Sequence, residues 1–319
     1  MTRMSTRIWL VSLAMLAMSA APAAAKVSGP NGRIVYGVFD PATEAQHLFT
    51  VNPDGSDVRD LSVISDPGAN AWSPDGSKIL ITDLQTGQSP LRPATINPDG
   101  SGFVRLDATF DPLLHLGCGA WSPAGDRIAC QGFTDEEPSE KNGMYTVRSS
   151  DGGGLVRLTH ARPPGDVPGD YSPDGSRIVF LHSDPSPQAC FECGALVVVN
   201  TDGSGLRQIT PPDLAQAATG SWSPDGRWIL FGARHGKLYI VHPDGTGLRR
   251  IPLHDGPGRS FAGSASWSPD GTRILFSMFW APNGYQPDLF TARSDGFDLE
   301  QVTDTPEFEH TSDWGPLTG

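Results

Sequence analysis

The chain reads as an all-β fold, a six-bladed β-propeller closed by pairing its C-terminal strand with its N-terminal strand. Three observations carry that reading. The first is a repeat, Trp/Tyr-Ser-Pro-Asp-Gly followed two residues later by an apolar run. It begins at Trp72, Trp121, Tyr171, Trp222 and Trp267, with a truncated copy at Trp314. The second is an Asp-Gly pair between successive copies: Asp54-Gly55, Asp99-Gly100, Asp151-Gly152, Asp202-Gly203, Asp244-Gly245 and Asp295-Gly296. The period is about 42 to 52 residues, the range of propeller blades, and a blade cannot bury both its faces alone. The third is that the two ends complete each other. Trp314-Gly315-Pro316 starts a blade that has no second strand, and Asn31 to Tyr36 is a second strand with no Trp before it. Pairing them removes the open sheet edges of an unclosed stack.

Taken in order, the first 25 residues lie outside the fold. Arg3 and Arg7, the apolar stretch Ile8 to Met18, and Ala23-Ala24-Ala25 have the layout of a secretory signal peptide. Lys26 is the expected mature N-terminus, and residues 26–319 form one domain. The apolar stretch is too short to span a bilayer. No Cys stands at the cleavage site for a lipid anchor. The mature protein is expected to be exported (periplasmic or extracellular), without membrane insertion, and monomeric.

One blade illustrates the rest. Ser221-Trp222 ends a short strand, and Ser223-Pro224-Asp225-Gly226 turns the chain. Pro presets φ, Asp bonds nearby backbone, and Gly accepts positive φ. Trp228 to Phe231 is the second strand, Leu238 to Val241 the third, and Leu248 to Ile251 the fourth. Continuous apolar runs suit strands covered on both faces. The recurring Trp fits as a wedge between blades, where a large ring buries much area. Glycine at 37 positions and proline at 29 suit a chain of tight turns and few helices.

The paired Trp-Ser-Pro-Asp-Gly and Asp-Gly…Leu-Thr motifs resemble the TolB-like propeller repeat, a relative of the WD repeat. The resemblance covers nearly the whole mature chain. It implies six blades with the Trp222-type strands innermost. The α/β domain that precedes the propeller in TolB itself is expected to be missing, because few residues separate Lys26 from the first strand.

No local motif for a nucleophile, a zinc protease or a phosphate-binding loop is present. Asp75, Asp174, Asp225 and Asp270 belong to Pro-Asp-Gly turns, so turn chemistry accounts for them better than metal binding. The turn at Ala124 is expected to do without a carboxylate. His115, His182, His235, His242, His254 and His310 scatter over loops or their flanks. Cys118 and Cys130 lie near opposite positions on a hairpin and are expected to form a disulfide. Cys190 and Cys193 are expected to form another, with a redox pair or half a zinc site as the alternatives.

The net charge of −13 argues against nucleic acid and anionic lipid. The short turns repeat almost unchanged, whereas the opposite face carries unequal loops such as Asp83–Pro93, His182–Gly194 and Met278–Asp288. Function concentrates in variable loops on a rigid scaffold. That face is expected to bind a protein or peptide partner through Arg259, Trp280 and Tyr285. Asn70, Asp170, Ser221, Ser266 and Asp313, just before the Trp or Tyr positions, are expected to crowd the channel mouth with His310. No catalytic residue, structural metal or cofactor is assigned; a cation at the channel mouth is the one exception considered. The leading reading is a non-enzymatic exported propeller. The alternatives are a secreted hydrolase or lyase with its site at the channel mouth, or a TolB-like component of a cell-envelope complex.

Overall fold

The computed structural model describes residues 28–66, 70–108, 111–135, 140–160, 165–183, 193–212, 214–216, 219–233, 236–253, 259–280 and 286–318. The expected leader, residues 1–25, lies outside them. Each repeat folds as one antiparallel blade. Blade 1 runs, from the axis outward, Glu309–Pro316, Asn31–Asp40, Ala45–Val51 and Arg59–Ser65. Blade 2 is Ala71–Trp72, Ile79–Thr82, Pro93–Ile96 and Val104–Arg105. Blade 3 is His115–Trp121, Arg127–Phe133, Gly143–Arg148 and Val156–Arg157. Blade 4 is Asp166–Tyr171, Arg177–Ser183, Cys193–Asn200 and Arg207–Gln208. Blade 5 is Ser221–Trp222, Ile229–Ala233, Lys237–Val241 and Arg249–Arg250. Blade 6 is Arg259–Trp267, Arg273–Trp280, Pro287–Arg293 and Glu300–Gln301. A short strand not foreseen, Ala215–Gln216, pairs with the third strand of blade 4 and the second of blade 5, fusing those two sheets.

Closure is as the chain ends imply. Ile34 pairs with Trp314, Val35 with Asp313, Gly37 with His310 and Val38 with Glu309. The Trp314 indole N–H also donates to Gly32 O at 3.0 Å. Innermost strands are neighbours all the way round, blade 6 against blade 1 included.

The turns show why the motif has its spelling. In blade 4 the Ser172 hydroxyl donates to Asp174 Oδ1 at 2.6 Å. The same oxygen accepts the Ser176 N–H at 3.0 Å, while Arg177 N–H donates to Ser172 Oγ at 2.9 Å. Gly175 sits at φ 71°, where a Cβ would be strained. These donors hold the Asp174 carboxyl down at about 2. Blade 3 corrects one expectation. Its turn has Ala124 but still uses a carboxylate, because Ser122 Oγ donates to Asp126 Oδ1 at 2.7 Å.

The core is six slabs, one at each junction between neighbouring blades. Each slab contains the Trp or Tyr of the repeat, and Trp222, Tyr171 and Trp314 are at most 2% exposed. Burying such a ring is worth up to about 4–6 kcal/mol, so the wedge position dominates blade-to-blade cohesion. Cys118 and Cys130 are cross-strand partners in blade 3 and are bonded. Cys190 and the side chain of Cys193 lie outside the described residues. Among the described residues no helix is long and apolar enough to cross a membrane.

Candidate functional site on the variable-loop face

The innermost strands begin at the variable-loop face and end at the short turns, which separates the predicted site residues into two levels. Asp170 and Asp313 are fully buried and lie one residue before the Tyr or Trp, toward the short turns. Asp170 Oδ2 accepts the backbone N–H of Trp222 in the next blade at 3.0 Å. Asp313 Oδ2 does the same for Trp72 at 2.9 Å, and its Oδ1 accepts the Trp314 N–H at 2.8 Å. Both carboxylates therefore staple adjacent blades. Ser221 and Ser266 occupy the same level and are fully buried, but their hydroxyls have no partner among the described residues. Asn70 stands one position further back, before Ala71. Its Oδ1 accepts a bond from Gln46 Nε2 at 3.2 Å.

The upper rim carries the other titratable groups. Asp166, 1% exposed, opens the innermost strand of blade 4. Its carboxylate takes the hydroxyl of Thr159 from blade 3 and lies 2.6 Å from Nδ1 of His182, its direct cross-strand partner. Glu309 opens the innermost strand of blade 1 in the same way. It is fully buried and accepts the hydroxyls of Thr303 and Thr305, the latter at 2.9 Å. Thr159 and Thr303 each also accept a third-strand N–H, from Met144 and Leu289, at 2.9 Å. The Thr that ends a repeat thus ties its own blade to a carboxylate of the next. Asp288 accepts the Thr305 N–H at 3.1 Å, close enough to bear on Glu309. Burial, and secondarily the charge of Asp288, push the Glu309 carboxyl up to about 7.

His310 lies edge-on to Phe39 and Phe308, with ring centroids at 6.0 and 5.6 Å. Its Nε2 has no partner among the described residues, and burial holds the imidazole neutral down to about 4. His115 stacks on Phe133 at 4.9 Å, accepts the Leu91 N–H on Nδ1 at 3.2 Å, and presents Nε2 to Asp135 at 3.2 Å. Arg259 and Trp280 are direct cross-strand partners at the top of blade 6. Their side chains, and Tyr285, lie outside the described residues. Parts of the expected loops are strand, since blade 6 extends over Arg259–Trp267 and Arg273–Trp280. The rim thus carries separate groups on different blades, carboxylates with histidine or threonine partners and an Arg-Trp backbone pair in blade 6, while Asp170 and Asp313 sit below it as staples.

Comparison with known structures decides the fold. TolB from Acinetobacter baumannii superimposes with a TM-score of 0.68 at 19% identity, over 90% of this chain and 67% of that one. The chain has the TolB-like six-bladed propeller fold. Hydrazine synthase from Kuenenia stuttgartiensis matches with a TM-score of 0.67 at 15% identity, over 90% of this chain and 47% of that one. A chain of a nidogen/laminin complex matches at 0.61 and 10% identity, over 90% and 99% of the two chains. In sequence, a dipeptidyl-peptidase 5 from Porphyromonas endodontalis is 28% identical over 127 residues, 39% of this chain. That stretch is only 17% of the peptidase. No family model matches the chain.

Proposed function

We propose that this TolB-like propeller is an exported, non-enzymatic protein that holds a protein partner on its variable-loop face. The carrying observation is the difference between the two faces. The turn carboxylates Asp75, Asp174, Asp225 and Asp270 each accept bonds from their own turns. At the rim, His182 and His115 carry exposed or charged neighbours, and the backbone pair Arg259–Trp280 closes a hairpin at its edge. An aromatic group beside an Arg is a frequent energetic centre of protein contacts. The disulfide and the leader-like start support export. Membership of an envelope complex is one setting for the same activity. The nidogen/laminin neighbour is a propeller chain crystallised as part of a protein complex.

The test is capture of exported proteins by the wild type and by a triple variant, Arg259→Ala, Trp280→Ala and Tyr285→Ala. A retained melting temperature with at least tenfold weaker capture supports the reading. Parallel changes at Ser77, Ser101 and Thr246 on the short-turn face should leave capture intact; equal effects from both sets refute the face assignment. A second reading, a hydrolase or lyase at this face, rests on His182, whose Nδ1 is held by buried Asp166 while the side chain is 46% exposed. An oriented imidazole is the usual form of a general base. Turnover of a peptide or oligosaccharide panel that His182→Gln abolishes would favour it.

A further inference from the structure

The short-turn side is less uniform than its repeats imply. In five blades the second strand is entered through a basic residue: Arg33, Lys78, Arg127, Arg177 and Arg273. At the junction of blades 4 and 5 that cation reaches the wedge of the next blade. The Arg177 guanidinium lies 4.9 Å over the Trp222 ring. At the junction of blades 3 and 4, Arg127 is close enough to Tyr171 for its charge to bear on the phenol. Blade 5 has Trp228 in this position.

Trp228 is committed to its own blade. It stacks on His242 at 3.8 Å and carries the Arg249 guanidinium at 5.0 Å. No basic side chain from the second strand of blade 5 is therefore available to reach Trp267, the next wedge. A cavity of about 320 Å³ opens there, lined by Trp228, Ile240, Arg249, Trp267, Asp225 and Asp270. Asp225 uses Oδ1 for the Ser223 hydroxyl at 2.6 Å and the Arg227 N–H at 3.0 Å. The nearest cation to its Oδ2 is Arg227 Nε, at 3.9 Å. Asp270 Oδ2 accepts Asn31 Nδ2 at 3.0 Å. Arg249 forms no ion pair with either carboxylate among the described residues. Two carboxylates and the indoles of Trp228 and Trp267, with Arg249 held on Trp228, thus surround a space that a basic residue serves one junction earlier.

We propose that the cavity between blades 5 and 6 binds an organic cation, a guanidinium or primary ammonium group, where the junction of blades 4 and 5 supplies its own. Carboxylates and an aromatic wall are the groups that recognise such a cation. The source is either a basic side chain of a peptide or a free small cation, and both share the chemistry. The site does not depend on the partner reading of the opposite face.

The probes are methylguanidinium, the peptide acetyl-Gly-Arg-Gly-amide, and acetyl-Gly-Leu-Gly-amide as the neutral control, followed by saturation-transfer NMR with the full mature protein. Saturable binding of the two cations and none of the control is expected. Trp228→Arg restores the residue type of the repeat; it should weaken binding at least tenfold while the melting temperature holds or rises. Asp225→Asn, at a half-exposed turn position, should weaken binding at least threefold without altering the fold, and it serves if Trp228→Arg does not fold. The peptide binding at least tenfold more tightly than methylguanidinium assigns a peptide source, and similar affinities assign a free cation. No cation binding to the wild type, or affinities unchanged in the folded variants, overturns the proposal.

Discussion

The staples Asp170 and Asp313 offer a quantitative contrast within one ring level. Asp313→Ala leaves two buried backbone donors, the N–H groups of Trp72 and Trp314, without the acceptors they have now. Each orphaned donor costs about 1–3 kcal/mol, so the variant should lose roughly 2–6 kcal/mol. Asp170→Ala orphans the Trp222 N–H and should lose about 1–3 kcal/mol. Ser221→Ala and Ser266→Ala remove buried hydroxyls that have no partner among the described residues, so neither should destabilise, and each should be neutral or stabilising by up to about 1–3 kcal/mol. Asp313→Asn keeps an acceptor oxygen and should fall between the extremes. For a domain of this size 1 kcal/mol moves the melting temperature by roughly 2–4 °C, so calorimetry resolves the series, and urea midpoints give an independent order. Equal losses for the Asp and Ser variants would refute the staple argument. Partner binding lost through Ser221→Ala at unchanged stability would return this level of the channel to recognition.

Four further outcomes follow from the same structure. The raised Glu309 carboxyl means that folding favours its protonated form. That contribution is complete below about pH 4.5 and fades as pH rises through about 7, a loss on the order of 3 kcal/mol. Glu309→Gln should remove this fall from the urea stability profile between about pH 4.5 and 7; a variant with the wild-type slope would remove Glu309 as the cause. The partly buried, neutral His310 acts the other way, weakening the fold as pH falls from 6.5 toward about 4, so His310→Phe should gain stability over wild type on acidification. Reducing the Cys118–Cys130 bond, whose partners are 12 residues apart, should cost about 2–3 kcal/mol, measured by melting with and without reductant. Alkylation and mass mapping of the unreduced protein should find neither thiol free. Deleting 313–319 removes Trp314 and should cause aggregation or a large fall in melting temperature; an unchanged melting curve would mean that another segment closes the ring.

The blade pattern was legible because turn chemistry and apolar runs repeat at fixed offsets. Trp314 could be matched to Ile34 because each chain end lacks what the other has. The cysteine pair could be placed by counting outward from one turn. What the residues did not disclose depends on long-range partners. Asp170 and Ser221 look alike as short polar residues before an aromatic. Only the position of the next blade gives the first a backbone N–H 52 residues away and the second no partner among the described residues. The His182–Asp166 pair was within reach, since hairpin register sets the two opposite each other, but neither residue belongs to a repeated motif. Trp228 was visible as the one departure from a run of basic residues. Its meaning required Arg177 lying on Trp222.

The shared blade 1 also orders the molecule in time. Of the ring's strands, Asn31–Asp40 is synthesised first and Glu309–Pro316, which lines its inner edge, last. Until that final strand emerges, Ile34, Val35 and Tyr36 have no inner neighbour, while blades 2 to 6 already hold all their strands. A half-made chain is therefore an open crescent with one sticky horn. Contacts of such large sequence separation slow folding, so a chaperone or a delay before release would serve this horn above any other part of the chain. A circular permutant that starts at Glu309 and joins the old ends would supply both strands of the seam at once. It should refold faster than the natural order at equal stability.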